Sequence, residues 1–340
     1  MKHFVITRIG IGIYDANRLK KMIDLFGAVT LPSLLNQASQ NFTSLIVTDS
    51  NIPKENLNHL LSLIKNNENF HLVEIDVTTL ENTKVGSFDW VWDQCQNFII
   101  KSNLLEDLND YILTSVLDAD DAWHHQLTSS IEKIASNNIL SIVEAERTAT
   151  TWTGHSSGMV ITIPNGYAFF AHAQNIGRMH YKFHSMAVFV TSRFSSGISV
   201  CSSRHSQWES FSKVVDFKIA VWSDTPPMWI YTRHDEGVVP WDSSKGKTIN
   251  DDDEKMLTNI FGINFNHIKT WNTVYNKTLT ESYKGKSARE QYNLIFKISI
   301  INRAIKILSA EEENLKIKKI LEKKRQERAH LISNLFSTTI

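Results

Sequence analysis

The sequence predicts an α/β protein with a mostly parallel central sheet, and three observations favour this class. Over residues 1–120, apolar segments of strand length alternate with longer segments of helical periodicity, the pattern of strands joined by crossover helices. Hydrophobic residues make up 42% of the 340-residue chain, enough for a large core. No run approaches the roughly eighteen consecutive apolar residues that a membrane span requires.

The first half of the chain reads as a series of strand–helix units. A short strand at residues 4–7 runs into a loop that contains Gly10 and Gly12. The elements that follow, in order, are a helical segment at 19–37 that Gly27 and Pro32 divide in two, a strand at 44–48, a helix at 53–65, a strand at 71–77, a helix at 90–105 and a strand at 111–117. Apolar residues spaced three or four apart predict the helices, and short β-branched runs predict the strands.

The second half has strands with polar interruptions, which indicates a mixed sheet with long loops. Strands are predicted at 139–145, 158–164, 186–191 and 227–233, a polar loop at 242–256, and helices at 288–308 and 315–336. The last helix carries seven Lys and Arg residues against Glu322 and Glu327. Such a basic amphipathic helix either touches an anionic membrane surface or packs on its own domain or on a second copy of the chain, and both interpretations stay open.

Composition excludes several classes of function. Lys and Arg together equal Asp and Glu, at 36 each, so no overall field attracts nucleic acid. The two cysteines, Cys95 and Cys201, are too few for a disulfide framework or a zinc site, which favours a reducing compartment. The N-terminal residues enter a strand without the pattern of a signal peptide. We therefore expect a cytoplasmic protein that does not bind nucleic acid.

The most informative feature is a group of three carboxylates, Asp118, Asp120 and Asp121, directly after the strand at 111–117. Such a group repels itself unless a cation or hydrogen-bond donors neutralise it. Hard oxygen ligands at a strand end suit Mg²⁺ or Mn²⁺, with room left for substrate phosphates. The alternative is that Asp120 or Asp121 caps a helix that begins near Ala122. A cap explains one aspartate but not three.

Five segments carry a resemblance to a known family. They are FVITR at 4–8, LF at 25–26 followed by LPSLLNQ at 31–37, the strand from 42 that ends IVTD at 46–49, LDADDA at 117–122, and PMWIYTRH at 227–234. In this order they resemble nucleotide-sugar glycosyltransferases of the GT-A type, and more closely the bacterial rhamnosyltransferase family. The resemblance implies a central mixed sheet flanked by helices, followed here by a C-terminal helical extension.

The resemblance also implies a role for each residue of the donor side. Asp120 is then the main ligand of Mn²⁺ or Mg²⁺, Asp121 shares the metal directly or through water, and His234 completes the metal shell. Asp118 contacts the ribose or the sugar. Thr7, Arg8 and Asp49 meet the base, ribose or phosphate of the nucleotide-diphosphate sugar. From the residues alone, a surface ion pair for Arg8 and a turn or helix cap for Asp49 are equally good interpretations.

An inverting transferase also needs a general base for the acceptor hydroxyl. Glu209 is our first candidate, because its neighbour Trp208 can stack on an acceptor sugar and raise the pKa of the carboxylate. Asp216 is the second, and Asp224 and Asp235 are further candidates. A retaining enzyme needs no such base, and the sequence leaves the stereochemistry open.

These observations together predict a metal-dependent glycosyltransferase with a saccharide or glycolipid acceptor, serving cell-surface polysaccharide synthesis. We expect a transferase domain at 1–285, with a nucleotide-sugar half at 1–125 and an acceptor half at 126–285, and a helical extension at 286–340. One alternative is a non-catalytic nucleotide- or carbohydrate-binding protein, favoured by Val116 where the family often has arginine. Another is a Mg²⁺-dependent phosphotransferase that uses Asp118 as its nucleophile. We also expect peripheral contact with the inner membrane, or dimerisation, through the C-terminal helices.

Overall fold

The protein folds around a seven-stranded mixed sheet. The computed structural model describes residues 1–81, 88–148, 158–215, 217–234, 246–275, 288–309 and 315–337. The strands are β1 (Lys2–Arg8), β2 (Phe42–Asp49), β3 (Phe70–Ile75), β4 (Tyr111–Val116), β5 (Ala122–Trp123), β6 (Gly158–Thr162), β7 (Asn165–Phe170), β8 (Asn175–His180), β9 (Val188–Arg193), β10 (Phe217–Val221), β11 (Trp229–Arg233) and β12 (Lys247–Thr248). The first half therefore contributes the parallel strands predicted from its periodicity.

The first four and the last two helices were predicted, with shifts at their ends, whereas the four helices between residues 127 and 275 were not. They are α1 (Ala16–Ala28), α2 (Thr30–Leu35), α3 (Lys54–Ile64), α4 (Asp89–Lys101), α5 (Leu127–Thr148), α6 (Trp208–Val214), α7 (Asp251–Phe261), α8 (Phe265–Tyr275), α9 (Ala288–Ser309) and α10 (Leu315–Phe336). The predicted division of 19–37 falls at Val29, which ends α1 and precedes α2.

The order of strands places the predicted site at one edge of the sheet. The large sheet runs β10-β6-β9-β4-β1-β2-β3, and β1 lies parallel between β2 and β4. Only β9 of these strands is antiparallel to its neighbours. The carboxyl ends of β1, β2 and β4 therefore meet, which is where open α/β sheets bind ligands. The α/β class, with a mixed central sheet flanked by helices, is confirmed.

A second sheet of five strands, in the order β12-β8-β7-β11-β5, packs beside the first. Its strand β11 pairs parallel with β7 and antiparallel with the two-residue β5. Because β5 directly follows the aspartate cluster, this pairing brings the end of β11 next to that cluster. Both faces of the large sheet are covered, with Ile6 in one apolar cluster and Val5 in the other.

Three local predictions are wrong. Residues 139–145 continue α5 instead of forming a strand, because the stripe Leu127, Ile131 and Ala135 keeps helical spacing and is fully buried against the sheet. No helix begins near Ala122, since this residue pairs with Ile230 in a strand. The polar stretch at 242–256 contains the start of α7, capped by the Asn250 side chain, which accepts from the backbone N–H of Asp252 and Asp253.

The two C-terminal helices form an antiparallel pair on the β1–β3 side of the sheet. Ile295 and Ile298 of α9 and Leu335 of α10 are buried in the same apolar cluster as Phe4 and Leu45. The apolar side of α10 therefore packs against the core of its own chain. Within the described ranges, no helix combines the length and apolar character needed to cross a membrane.

Candidate functional site

Three loops deliver charged side chains to the carboxyl edge of the sheets. Arg8 ends β1, the aspartate cluster follows β4, and His234 follows β11. The backbone N–H of Leu117 donates to the carbonyl of Ile6 at 3.0 Å, which ties the end of β4 to β1. The chain then turns, with the backbone N–H of Asp121 donating to the carbonyl of Asp118 at 3.1 Å. The turn presents the three carboxylates from four consecutive residues.

Asp121 is the most deeply buried of the three carboxylates, with no exposed surface. Its Oδ1 accepts a hydrogen bond from the backbone N–H of Thr232 at 2.7 Å, which fixes it against β11. Its Oδ2 has no hydrogen-bond partner in the described part of the chain. Burial raises the pKa of this carboxyl well above its usual range, and the charges of Asp120 and Asp118 add to the shift. A carboxylate in this position calls for a positive charge beside it.

Asp118 is held from two sides. Arg8 Nη2 donates to its Oδ1 at 2.8 Å, and the hydroxyl of Ser185 donates to its Oδ2 at 3.3 Å. The guanidinium of Arg8 also lies over the ring of Phe88, 3.8 Å from the ring centre. Arg8 is therefore positioned by both an ion pair and stacking, a geometry well suited to recognition of phosphate oxygens.

Asp120 pairs with the predicted histidine. Its Oδ2 lies 2.9 Å from Nε2 of His234, and the His234 side chain is only 6% exposed. Within the described ranges, no group of three or more His, Cys, Asp or Glu side chains is placed so that it could hold a metal ion. The chemistry of the side chains is nevertheless compatible with a divalent cation, because Oδ2 of Asp121 is buried without a hydrogen-bond partner and Asp120 adjoins His234. These donors are of the types that Mn²⁺ accepts.

A row of rings that sequence reasoning missed lies beside Asp118. His184 stacks on Trp229 with ring centres 4.7 Å apart and meets Tyr231 edge-on at 4.4 Å. Outward from His184 the row continues to Tyr181 at 6.0 Å and to His205 at 6.3 Å. Burial lowers the pKa of His184 to about 3, so its ring is neutral near pH 7.

Tyr181 ends this row at the surface. It is 42% exposed, and it is the single aromatic residue among the exposed large hydrophobic side chains of the described ranges. The row, defined as Tyr181, His205, His184, Tyr231 and Trp229, therefore leads from solvent to the carboxylates. The available sequence signal was the density of aromatic and histidine residues between 180 and 234. Its arrangement could not be predicted, since it depends on the pairing of the second sheet.

Two of the predicted nucleotide residues, Thr7 and Asp49, are fully buried. Thr7 is fully buried, because β1 is a central strand with both faces covered, whereas Arg8 lies at the end of the strand and is partly exposed. Asp49 is also fully buried. Its Oδ2 accepts from the hydroxyl of Tyr14 at 2.5 Å and its Oδ1 from the backbone N–H of Asn51 at 3.0 Å. Both oxygens of Asp49 are thus engaged by the protein itself.

The pKa of the Glu209 carboxylate is lowered and not raised as predicted. The side chain is exposed and pairs with Lys182, which lowers the pKa of the carboxylate. Trp208 does not raise this pKa, because its ring is fully buried in the core while Glu209 points to solvent. Glu209 remains a prediction without that physical support. Asp216 and Asp235 lie outside the described residues, and Asp224 is exposed on the β10–β11 connection.

The fold and the site together define a class of protein: an α/β protein with a cluster of charged side chains at the carboxyl edge of its parallel strands. The sequence matches the model of a family described as "Putative rhamnosyl transferase" over residues 8–241. The match covers more than half of the chain, so the chain belongs to this glycosyltransferase family. Comparison with curated proteins gave no match.

Three solved structures illustrate how distant the structural likenesses are. TarS of S. aureus has a TM-score of 0.34 and 11% identity, and the match covers 99% of this chain and 55% of TarS. The glycosyltransferase GlyE of Streptococcus pneumoniae TIGR4 gives 0.31 and 11%, covering 85% and 66% respectively. Mouse xyloside xylosyltransferase 1 gives 0.28 and 8%, covering 65% and 78%. The chain thus spans about half of TarS, and none of these likenesses bears on its function.

Proposed function

We propose that this glycosyltransferase uses a divalent cation, Mn²⁺ or Mg²⁺, to transfer a sugar from a nucleotide-diphosphate donor at the aspartate cluster. The observation that carries the proposal is the buried, unpartnered Oδ2 of Asp121 beside two further carboxylates. A buried carboxylate is costly unless it is neutralised, and the nearby charge of Arg233 offsets this cost for Asp121 only in part. A bound cation removes that cost, and the ligand types present here are those that hard cations take.

Asp120, Asp121 and His234 are the residues that would hold the cation. When bound, the cation neutralises the negative charge that develops on the departing diphosphate. The protein supplies the rest of the donor site. Arg8, fixed by Phe88 and Asp118, lies where it can bind a phosphate oxygen, and Asp118 lies between Arg8 and the ring row, where it can accept from a donor hydroxyl. A rhamnosyl donor is the specific sugar that the family description supports.

The ring row supports a saccharide acceptor. Aromatic faces stack on the apolar faces of sugars, and rings with a polar edge also bind sugar hydroxyls. Tyr181 is exposed, and His184 contacts the Ser185 hydroxyl that donates to Asp118. His184 and Trp229 are buried, so an acceptor would stack on the exposed outer rings of Tyr181 and His205, with its reacting hydroxyl directed toward the donor sugar. We propose on this basis a saccharide or glycolipid acceptor and a place in cell-surface polysaccharide synthesis.

Donor cleavage tests the proposal directly. Purified protein is incubated with a panel of UDP-, GDP-, CDP- and dTDP-sugars, including dTDP-rhamnose, with Mn²⁺, with Mg²⁺ or with EDTA, and release of nucleoside diphosphate is measured. We expect release from one class of donor, abolished by EDTA and restored by excess metal. Release that does not depend on metal would contradict the proposed role of the cation. If no donor is cleaved and no nucleoside diphosphate binds, the proposed transferase activity is contradicted.

Two other functions are weaker. A phosphotransferase that attacks through Asp118 has less support, because the ion pair with Arg8 and the hydrogen bond from Ser185 stabilise this carboxylate and lower its nucleophilicity. A non-catalytic binding protein would bind a nucleoside diphosphate or saccharide without ever cleaving a donor. The same panel separates this alternative from the transferase, because binding and release are measured on one sample.

We also propose that the protein is cytoplasmic and that the exposed lysines of α10 contact the inner face of the membrane. This contact would be electrostatic, since Leu331, Ile332 and Phe336 of α10 pack inward on the core. Co-sedimentation with vesicles that contain anionic lipid tests it, and equal binding to neutral vesicles would exclude it. Dimerisation through the same helices remains a proposal that sedimentation velocity can decide.

A further inference from the structure

The C-terminal helix pair lies beyond the part of the chain that matches the family model, which ends at residue 241. The α9–α10 pair nevertheless reaches the carboxyl edge of the parallel strands. Leu335 is fully buried, and Phe336 packs on the apolar cluster on the β1–β3 side of the sheet. The pair therefore contacts the half of the protein where the donor would bind, and its role there is unassigned.

The first contact is made by the end of α10. The ring of Phe336 packs on Tyr14 with ring centres 4.5 Å apart. Tyr14 belongs to the loop between β1 and α1, in which Gly10 and Gly12 have positive φ angles of 69° and 71°. Glycine adopts this backbone conformation at little cost. The two glycines therefore give the loop a backbone conformation that few other residues would adopt. Phe336 packs on Tyr14, near the end of this loop.

Tyr14 also contacts the last residue of β2, Asp49. Its hydroxyl donates to Oδ2 of Asp49 at 2.5 Å, and the backbone N–H of Gly12 lies 3.4 Å from the same oxygen. Asp49 thus acts as a clamp that holds the β1–α1 loop in place. Phe336, Tyr14 and Asp49 form a chain of direct contacts from the C-terminal helix to this loop.

A second contact joins the helix pair to the loop after β3. The Asn302 side chain of α9 donates to the carbonyls of Thr78 and Leu80, at 2.8 and 2.7 Å. Arg328 of α10 donates to Oδ1 of Asn302 at 2.6 Å and to the carbonyl of Thr78 at 3.0 Å. These bonds fix the loop after β3 in the same way as Phe336 fixes the loop after β1.

The two loops are also linked to each other through Asn51. Its side-chain amide donates to Asp49 and to Asp76, each at 3.1 Å. Asp76 in turn accepts from the backbone N–H of Thr78 at 2.9 Å. The helix pair therefore braces one connected layer, made of the loops that follow β1, β2 and β3.

We propose that the α9–α10 pair is a donor-binding element that holds the β1–α1 loop in the shape that receives the nucleoside part of the donor. The inference rests on the proposed function, since the carboxyl ends of these strands are where a nucleotide would lie. Tyr14 and Phe336 are positioning residues: they act through the loop and not by contact with the reacting atoms. Asp49 acts in the same way, because both of its oxygens already bind the protein.

Matched truncations on one helix test this inference. Phe336→Ala removes the contact with Tyr14, and Leu321→Ala removes a fully buried side chain elsewhere on α10. The probe is whichever of UDP, GDP, CDP and dTDP binds the full-length wild-type protein most tightly in Mn²⁺. We expect Phe336→Ala to weaken this binding about three- to tenfold, the effect of losing an aromatic pair. Leu321→Ala should leave it within twofold of wild type despite a similar fall in Tm.

Conservative variants separate positioning from general loss of stability. Phe336→Tyr keeps the ring and should bind the diphosphate as wild type does. Tyr14→Phe removes only the hydroxyl that donates to Asp49 and should weaken diphosphate binding. With an active donor, Phe336→Ala should raise the donor KM and leave kcat within twofold. Equal effects of Phe336→Ala and Leu321→Ala on binding would overturn the inference while leaving the proposed function intact. If no nucleoside diphosphate binds the wild-type protein, both fail.

Discussion

Arg8 and Asp118 form an ion pair across the junction of two parallel strands, with Nη2 of Arg8 2.8 Å from Oδ1 of Asp118. The pair lies at the open edge of the sheet, and both side chains are partly exposed, at 15% and 30%. A pair that is still partly open to solvent adds only modest stability by itself. Its importance lies in orientation, because it holds a guanidinium that also stacks on Phe88 beside the carboxylate cluster.

Replacing Arg8 by Met should therefore impair donor use more than folding. Loss of a charged hydrogen bond to a phosphate costs about 1.5–3 kcal/mol, so we expect kcat/KM for the donor to fall about 10- to 100-fold. Arg193→Met is the matched control, since Arg193 stacks on Tyr111 at 4.5 Å at the far end of β4. Similar losses in the two variants would show that Arg8 has no particular role in binding the donor.

Removing the exposed ring of Tyr181 should affect the acceptor and not the donor. We expect Tyr181→Ala to raise the KM for a saccharide acceptor about tenfold, in line with the contribution of about 1–1.5 kcal/mol from a stacked ring. Hydrolysis of the donor in the absence of acceptor should be unchanged, and Tyr181→Phe should keep most of the transfer activity. An equal fall in hydrolysis and transfer would place Tyr181 outside the acceptor site.

His184 should make the protein less stable at mildly acidic pH. Burial lowers its pKa from 6.5 to about 3 in the folded state, where His205, Asp118 and Arg233 are the charged groups that act on it. Below pH 6.5 the unfolded chain takes up a proton that the folded protein refuses, so stability falls as the pH decreases. At pH 5 this amounts to about 2 kcal/mol.

The variant His184→Phe keeps a ring against Trp229 but cannot titrate. Urea unfolding at pH 7.5 and pH 5 should show a smaller loss of stability for this variant than for wild type, by about 2 kcal/mol. Other buried histidines, such as His3 and His124, also have lowered pKa values, so the comparison between the two proteins carries the test. Identical pH dependence would mean that His184 is not responsible.

Gly166 should be intolerant of any side chain. A Cβ at this position would lie 2.1 Å from Cδ2 of Trp229, the ring on which His184 stacks. We expect Gly166→Ala to lower the free energy of unfolding by about 1–3 kcal/mol through overpacking and to disturb the ring row. Gly27 lies within α1, and in Gly27→Ala the new Cβ would be 3.4 Å from the side chain of Leu63 in α3, an ordinary contact distance. This variant should therefore be as stable as wild type or slightly more so. Calorimetric unfolding should show a clear loss of stability for Gly166→Ala and none for Gly27→Ala, and equal losses in the two variants would contradict this explanation.

Much of the first half could be predicted because its signals are local. The strands and helices up to residue 117 follow apolar periodicity, and the aspartate cluster follows directly from the sequence. His234 also lies beside Asp120, as expected from the resemblance. Residues 139–145 were mispredicted because isoleucine and valine favour strands locally, while the buried stripe of α5 imposes a helix.

The rest of the site depends on contacts between distant segments. The pairing of β5 with β11 places Asp121 beside Thr232, and the contact between Tyr14 and Phe336 spans almost the whole chain. Neither has a local sequence signal. The burial of Thr7 and the engagement of both oxygens of Asp49 likewise follow from neighbours that sequence periodicity does not identify.

We propose that Asp120, Asp121 and His234 hold a cation that a nucleoside diphosphate needs in order to bind. Titration calorimetry of the tightest-binding diphosphate with and without Mn²⁺ tests it, on wild type, Asp120→Asn and the control Asp107→Asn, an exposed turn residue remote from the cluster. We predict that Mn²⁺ strengthens binding to wild type and to Asp107→Asn at least about tenfold and has no effect on Asp120→Asn. Equal Mn²⁺ dependence of Asp120→Asn and wild type, or diphosphate binding that is unaffected by Mn²⁺ in all three proteins, would contradict the account.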